Sequence, residues 1–397
     1  MKKKLLFVMP SLSSGGGEKS LINLLSRLDY ELYSVDLLLL NKEGLFLGLV
    51  PEQVQLLSVS GTFDLFSLRL GMSVQQYLLR GELALAYYRI MFSLQNRSAK
   101  NVSIGEQLSW KYMSKSIQKL NTRYDAAIGF LEKTSIYYCV EKVDAVKKIG
   151  WVHTDYDKLG MDPSYDADYF ERLDYIVTVS NECANTLERY FPEQTEKINV
   201  IHNIVSPAII QSMANEKYDD VYNRVEDEIV ILSIGRLTPE KGFELAVLAC
   251  KELLNRGYKL QWNIIGEGEE KEKLMKLIQE NRLEQHFKLL GPKHNPYIYL
   301  KQADIYVHTS KFEGKSIAID EAKILHKPIV VTRFNTAKDQ IQDGLDGLIV
   351  DMNPMSVAAG VERLIQDREL ADSITKYLSE QKLGTEEEIK KLYRLLA

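Results

Sequence analysis

Apolar residues in this chain gather into short unbroken runs, separated by amphipathic stretches of helical length. In the first half, Lys4–Met9, Val35–Leu40, Asp125–Phe130, Lys148–Val152 and Tyr175–Val179 read as strands, and Asn199–Asn203 closes the series. Continuous runs of this kind mark strands covered on both faces, as in parallel sheets. A helix is expected from about Glu18 to Leu28. The second half opens on Ile229–Ile234 and repeats the alternation through Gln261–Ile265, His286–Leu289, Asp304–Val307, Pro328–Val331 and Gly347–Val350. That rhythm predicts an α/β protein with two doubly wound, Rossmann-like parallel sheets. Polar residues and turns mark 206–227 as a linker between a domain over 1–205 and another over 228–375, and few turn signals interrupt the helices that follow Ser356.

Length agrees with this division, since 397 residues exceed what one core usually supports. A net charge of −5 argues against general nucleic-acid binding, which needs a basic face. Three cysteines (Cys139, Cys183 and Cys250) lack any metal-like spacing and suit a reducing, cytoplasmic setting. The basic start followed by Leu5-Leu6-Phe7-Val8 superficially resembles a secretion signal. The apolar run is too short for one and breaks into Ser/Gly, so it reads as a first buried strand. No run of eighteen apolar residues occurs, so no spanning helix is expected.

Residues 61–123 break the rhythm. They carry nine Lys/Arg against three Asp/Glu, interleaved with aromatics and leucines such as Phe63, Phe66, Tyr77, Leu79, Tyr87 and Trp110. Two or three amphipathic helices with basic edges are expected there. Either they pack on the sheet with their arginines in water, or they lie on anionic lipid headgroups or a lipid-borne acceptor.

The chemistry concentrates in Phe312-Glu313-Gly314-Lys315-Ser316-Ile317-Ala318-Ile319-Asp320-Glu321-Ala322. Two glutamates stand eight positions apart, in a unit that reads strand, glycine loop, helix, strand. A helix opening near Ser316 directs backbone N–H groups and the positive end of its dipole out of the carboxyl edge of the sheet, where an anion would sit. Glu321, just over one turn inside, can then reach hydroxyls attached to that anion. The arrangement suits a nucleoside diphosphate sugar.

This spacing resembles the E-x7-E signature of retaining glycosyltransferases of family 4, of the bacterial surface-glycan type. The resemblance implies a GT-B fold, in which two Rossmann-like domains face a cleft and the tail helix, here 376–397, crosses back to the first domain. Ser14-Gly15-Gly16-Gly17-Glu18-Lys19 is similar to the family's GG-x-E-R loop at Gly15, Gly16 and Glu18, with Lys19 in place of arginine. Lysine keeps the charge and loses the planar fork. Gly235-Arg236-Leu237-Thr238-Pro239-Glu240-Lys241-Gly242 is similar to the G-R-x-x-x-x-K-G element, whose two cations neutralise a departing diphosphate. Gly266-Glu267-Gly268 lacks the third glycine of a dinucleotide fingerprint, and its glutamates would repel a pyrophosphate; the resemblance places Gly266 beside the nucleotide. The segment with Lys293 and Asn295 resembles the loop whose backbone reads the base, which favours uracil. Trp151-Val152-His153 matches a strand end where the family carries a histidine near the donor sugar and acceptor. Asp155-Tyr156-Asp157 forms a D-x-D, the metal signature of another glycosyltransferase fold, in a segment already crowded with aspartates.

The expectation is a cytoplasmic, metal-independent retaining hexosyltransferase, peripheral on the inner face of the plasma membrane if the basic segment binds lipid. It would move a sugar from a nucleotide donor, a UDP-sugar by preference, to a glycan or lipid-linked acceptor in surface polysaccharide or glycoconjugate synthesis. His153, Arg236, Lys241 and Glu313 are the expected catalytic set. Gly15, Gly16, Glu18, Gly235, Gly266, Lys293, Asn295, Gly314, Lys315, Ser316, Ile317 and Glu321 are expected to bind the donor, with no metal and no cofactor. The rival reading is a catalytically silent GT-B subunit that binds glycan or protein beside an active partner; its weakness is that Arg236, Lys241, Glu313 and Glu321 are all present.

Overall fold

A computed structural model of the chain describes residues 2–13, 15–59, 62–217 and 221–397. The apolar runs form two parallel sheets in two compact units. The first unit takes in Gly17–His202 and Glu387–Ala397 together with the first strand, and the second takes in Asn203–Glu386 and, from the loop after the first strand, Gly15 and Gly16.

The first sheet contains β1 (Lys3–Met9), β2 (Tyr33–Leu39), β3 (Val54–Ser58), β4 (Arg123–Gly129), β5 (Asp144–Val152), β6 (Tyr175–Thr178) and β7 (Ile198–Val200), in the order β3-β2-β1-β4-β5-β6-β7. Strand β3 was not expected from the sequence: it is a short edge strand whose register against β2 runs Val35↔Val54 to Leu39↔Ser58. The helix after β1 spans Gly16–Leu25, opening two residues earlier and ending three earlier than expected.

The basic segment is four helices (Phe63–Ser67, Leu70–Leu79, Leu83–Ser98 and Val102–Met113) where two or three were expected; Gly61 lies outside the described residues. Phe63, Phe66, Tyr77 and Trp110 enter the core of the first unit. Arg89, by contrast, is a packing residue. Its guanidinium donates to the Phe66 and Leu68 carbonyls and lies 5.3 and 5.5 Å from the Phe66 and Phe92 rings. A buried carboxylate anchors the last of these helices: Asp166 accepts from Gln107 Nε2 at 2.9 Å, from the Tyr156 hydroxyl at 2.6 Å and from the Tyr137 hydroxyl.

The chain's last helix, Ile389–Leu396, also belongs to the first unit. It buries Leu392, Leu395 and Leu396. Lys3 and Lys147 donate to the Leu396 and Leu395 carbonyls at 2.6 and 2.9 Å, satisfying acceptors that a helix end leaves open. The stretch expected as one tail helix from 376 is divided, because Arg368–Glu380 is a separate helix whose Ile374 and Leu378 enter the core of the second unit.

The second sheet contains β8 (Ile229–Ile234), β9 (Leu260–Ile265), β10 (Phe287–Leu289), β11 (Ile305–His308), β12 (Ile329–Thr332) and β13 (Leu348–Val350), in the order β10-β9-β8-β11-β12-β13. Helices Phe243–Asn255, Lys271–Glu280 and Pro354–Gln366 contribute Ala246, Leu274 and Val357 to one core. Helices Tyr297–Gln302 and Ile317–Ile324 contribute Leu300, Ile319 and Ala322 to another. The expected linker holds a helix of its own, Pro207–Ala214, whose Ile210 and Ala214 pack with Tyr297, Ile317 and Ile324. β8 lies between β9 and β11, so the chain leaves β8 and β11 in opposite directions. Loops from two such strands diverge at their carboxyl ends and open the crevice where α/β sheets bind ligands.

Candidate functional site

The two loops at that switch point are laced together. Lys311 N–H donates to the Glu240 carbonyl at 2.7 Å, and Thr309 Oγ1 donates to the Lys241 carbonyl at 3.0 Å. Gly242 makes this approach possible: its φ is +60°, and a Cβ there would stand 2.4 Å from the Thr309 carbonyl oxygen. A third loop stacks alongside, with Gly266 at φ +156° so close that a Cβ would fall 1.9 Å from the Gly235 carbonyl oxygen. Gly266 therefore serves close backbone packing, whereas a Cβ at Gly235 would meet only side-chain atoms of Phe243 and Lys241 at 3.4 Å or more.

Lacing the loops brings Lys241 and Glu313 into contact. Lys241 Nζ lies 2.5 Å from Glu313 Oε1, with the two side chains 17% and 11% exposed. The same oxygen accepts from Ser310 Oγ at 2.6 Å and meets His308 Nε2 at 2.8 Å. On its other side, His308 Nδ1 lies 3.1 Å from the buried Tyr306 hydroxyl. These partners set the tautomer: Nε2–H donates to the carboxylate and Nδ1 accepts from the tyrosine. Burial by itself would raise the Glu313 pKa, but the Lys241 ammonium and the His308 bond outweigh it and hold the carboxyl well below the usual range. Burial lowers the His308 pKa, so the imidazole is neutral beside an ionised glutamate.

Glu321 stands one turn into the helix, 1% exposed, and accepts from the Tyr297 hydroxyl at 2.9 Å. The opening of that helix is less open than its sequence implies. Ser316 N–H is taken by Gln340 Oε1 at 2.8 Å, and Gln340 Nε2 returns a bond to the Ser316 carbonyl at 2.8 Å. Ile317 is buried in the core beneath. Lys315 is paired with Asp320 at 3.1 Å, and the Thr336 hydroxyl donates to the Glu313 carbonyl, fixing the start of the glycine loop that runs through Gly314. Arg236 keeps its side chain half exposed, 3.9 Å from Glu240.

The proposed base-reading loop divides. Lys293 lies over the Tyr299 ring at 5.5 Å, whereas Asn295 clips structure together by donating to the Met213 carbonyl and Glu216 and accepting from the Tyr297 N–H.

In the first unit, His153 follows β5 and packs 4.8 Å from the Phe130 ring and 5.9 Å from the Trp151 ring. Burial depresses its pKa to about 3, and its Nε2 is enclosed with no hydrogen-bond partner among the described residues. The His153 backbone N–H donates at 3.0 Å to Glu132, a buried carboxylate that also accepts from the Thr154 hydroxyl. Gly17 sits against this group, its Cβ position 3.8 Å from the His153 ring. Beside it Gly15 is buried and Gly16 opens the helix, Glu18 is partly exposed in the first turn, and Ser14 lies outside the described residues. In the D-x-D segment, Asp157 pairs with Lys158 and accepts from the Tyr190 hydroxyl at 2.5 Å. Among the described residues, no group of three His, Cys, Asp or Glu side chains is placed to hold a metal ion.

Sequence reasoning missed Tyr306, His308, Ser310, Tyr297, Gln340 and Glu132. The signal for His308 and Ser310 was present, since both lie within five residues of Glu313 at the end of a strand. Tyr297 and Gln340 are 24 positions from the groups they hold, and no local pattern announces them.

Comparisons with known proteins follow the same outline. Residues 214–381 match the profile of a family described as glycosyl transferases group 1. An N-acetylgalactosamine-N,N'-diacetylbacillosaminyl-diphospho-undecaprenol 4-alpha-N-acetylgalactosaminyltransferase of Campylobacter jejuni is 28% identical over 203 residues, 51% of this chain and 53% of that protein. The amylovoran biosynthesis glycosyltransferase AmsK of Erwinia amylovora is 30% identical over 213 residues, 51% of this chain and 50% of its own. The chain spans about half the length of the curated relatives it matches. Among solved structures, Anabaena HepE in complex with UDP and glucose superposes with a TM-score of 0.71 at 16% identity, covering 99% of both chains. Two parallel-sheet α/β units and this likeness give the chain the GT-B fold, within which residues 214–381 match glycosyl transferases group 1.

Proposed function

We propose that the protein is a glycosyltransferase that moves a sugar, with retention of anomeric configuration, from a UDP-sugar to a glycan or lipid-linked acceptor. The observation that carries this reading is the grouping of Lys241, Glu313 and Glu321, with Arg236 on the adjoining loop, at the switch point of the second sheet. The Campylobacter relative is named for transfer to a diphospho-undecaprenol-linked saccharide and the Erwinia relative for polysaccharide synthesis, which supports an acceptor of that class.

On this reading Arg236 binds the diphosphate by its planar fork and Lys241 as a point charge, offsetting the charge that builds on the leaving group. Lys241 has three N–H donors and commits one to Glu313, which holds the ammonium in place and leaves donors for an anion. Glu321 would take the ribose hydroxyls, displacing or sharing the Tyr297 hydroxyl, and Glu313 the sugar end. His153, neutral at pH 7, would serve a sugar hydroxyl as a hydrogen-bonding group. No side chain is assigned as nucleophile or base; a donor phosphate oxygen is suited to receive the acceptor proton. With two cations at the diphosphate, the reaction is proposed to run without a metal.

The test is a panel of UDP- and GDP-sugars incubated with the protein in excess EDTA, with released nucleotide as the readout. Release from one UDP-sugar is expected. Release that requires added Mn²⁺ would overturn the metal-independent account, and release from GDP-sugars alone would overturn the base assignment.

A further inference from the structure

The helices Leu70–Leu79 and Leu83–Ser98 present to solvent an apolar face that the fold does not cover. Leu83, Tyr87, Ile90 and Leu94 are 67, 56, 40 and 52% exposed, at positions that fall on one stripe of the second helix. The preceding helix adds further exposed apolar side chains, Met72, Leu78 and Leu79, the last 73% exposed. Of the nineteen large apolar residues exposed among the described residues, nine lie between Leu68 and Val102. Scattered exposed leucines need no explanation, whereas four large apolar side chains on one face of one helix, in the segment richest in exposed apolar residues, mark a surface that meets an apolar partner.

Charge identifies the partner. Between Leu68 and Val102 stand five basic residues, Arg69, Arg80, Arg89, Arg97 and Lys100, and one acid, Glu82. Arg89 is spent on packing, and the other four basic residues are exposed. Glu82 is partly buried with one carboxylate oxygen enclosed. With the flanking acids counted, exposed Asp64 and Glu106 paired to Lys133, the balance of the segment stays basic. An apolar stripe bordered by exposed arginines and lysine complements a bilayer interface, with side chains in the acyl boundary and cations among acidic headgroups. No described helix is long and apolar enough to cross a membrane, so contact here is with one leaflet surface.

We propose that this face docks on an anionic lipid surface, with the Leu83, Tyr87, Ile90 and Leu94 stripe inserted and Arg80, Arg97, Arg69 and Lys100 against the headgroups. The proposal does not rest on the activity argued above, since its readout is binding. The whole protein is sedimented at low salt with vesicles of phosphatidylcholine alone and with vesicles containing phosphatidylglycerol. Binding is expected only to the second and should fall as salt rises. Leu83→Ser with Tyr87→Ser, and separately Arg80→Glu with Arg97→Glu, should each lower the bound fraction roughly tenfold or more while leaving the melting temperature unchanged. Failure of the wild type to bind phosphatidylglycerol vesicles overturns the proposal, as does binding that neither double variant alters. A wild type that sediments as a dimer while Leu83→Ser/Tyr87→Ser sediments as a monomer overturns it too, making the stripe a contact between copies.

Discussion

Lys241 and Glu313, 72 positions apart in the chain, form one ion pair at 2.5 Å with both side chains mostly enclosed. The sequence suggests separate tasks for them, a cation for the diphosphate and an acid for the sugar. In the structure each holds the other, and neither is tuned independently.

Substitutions at this pair should therefore be non-additive. Lys241→Ala and Glu313→Ala should each lower kcat/KM by roughly two to four orders of magnitude, about 3–5 kcal/mol of transition-state stabilisation. Each single change also strands a buried charge. The double variant should fall no further than the worse single one, so that a double-mutant cycle returns a coupling of about 3 kcal/mol or more, the size of the smaller single loss. Additive losses would show that the two groups act separately.

His153 makes a prediction about pH. Its pKa in the folded protein is about 3 against 6.5 as reference, so the unfolded chain takes up a proton between those values that the folded one refuses. Stability from this group is whole above pH 6.5 and declines as pH falls toward 3. His308, lowered by burial as well, acts in the same direction. Thermal melts from pH 7.5 to 5, above the carboxylate range, should show a falling midpoint, and His153→Gln should flatten that slope. An unchanged slope would mean that the imidazole is reached by solvent.

Asp166, which lies outside the helical insertion, ties the last helix of that insertion to Tyr137 and Tyr156 through Gln107. Asp166→Ala would leave the Tyr137 and Tyr156 hydroxyls and the Gln107 amide in a buried site without their acceptor. Urea unfolding should show a loss of roughly 2–4 kcal/mol. A loss under about 0.5 kcal/mol would mean that water replaces the carboxylate at little cost.

Much of the architecture was legible because parallel strands buried on both faces advertise themselves as unbroken apolar runs. Among the described residues twelve of the thirteen strands were expected, most of them from such runs, although the edge strands Ile198–Val200 and Phe287–Leu289 are interrupted by Asn199 and Lys288. The exception, Val54–Ser58, is an edge strand whose sequence follows Pro51-Glu52-Gln53 and carries a weaker signal. The insertion was harder, because its aromatics look alike in sequence: Tyr77 and Trp110 are fully buried while Tyr87 is 56% exposed. Only the packing distinguishes them. For the candidate site, the glycine turns and charged positions stood out, but the Gln340 bond to Ser316 and the Tyr297 bond to Glu321 depend on long-range folding. Arg89 shows the same lesson: a charge on an amphipathic helix reads as a solvated edge until its two carbonyl acceptors are seen.

The central claim is that the loops after β8 and β11 bind the diphosphate and ribose of a nucleotide. Calorimetric titration of free UDP into the wild type, Arg236→Ala and Glu321→Ala tests it most directly. The account predicts binding by the wild type, weakened by about 2–3 kcal/mol in Glu321→Ala, where a charged acceptor of hydroxyls is lost, and by a similar amount in Arg236→Ala. Absence of heat with UDP in the wild type, or equal affinity in all three proteins, would contradict it.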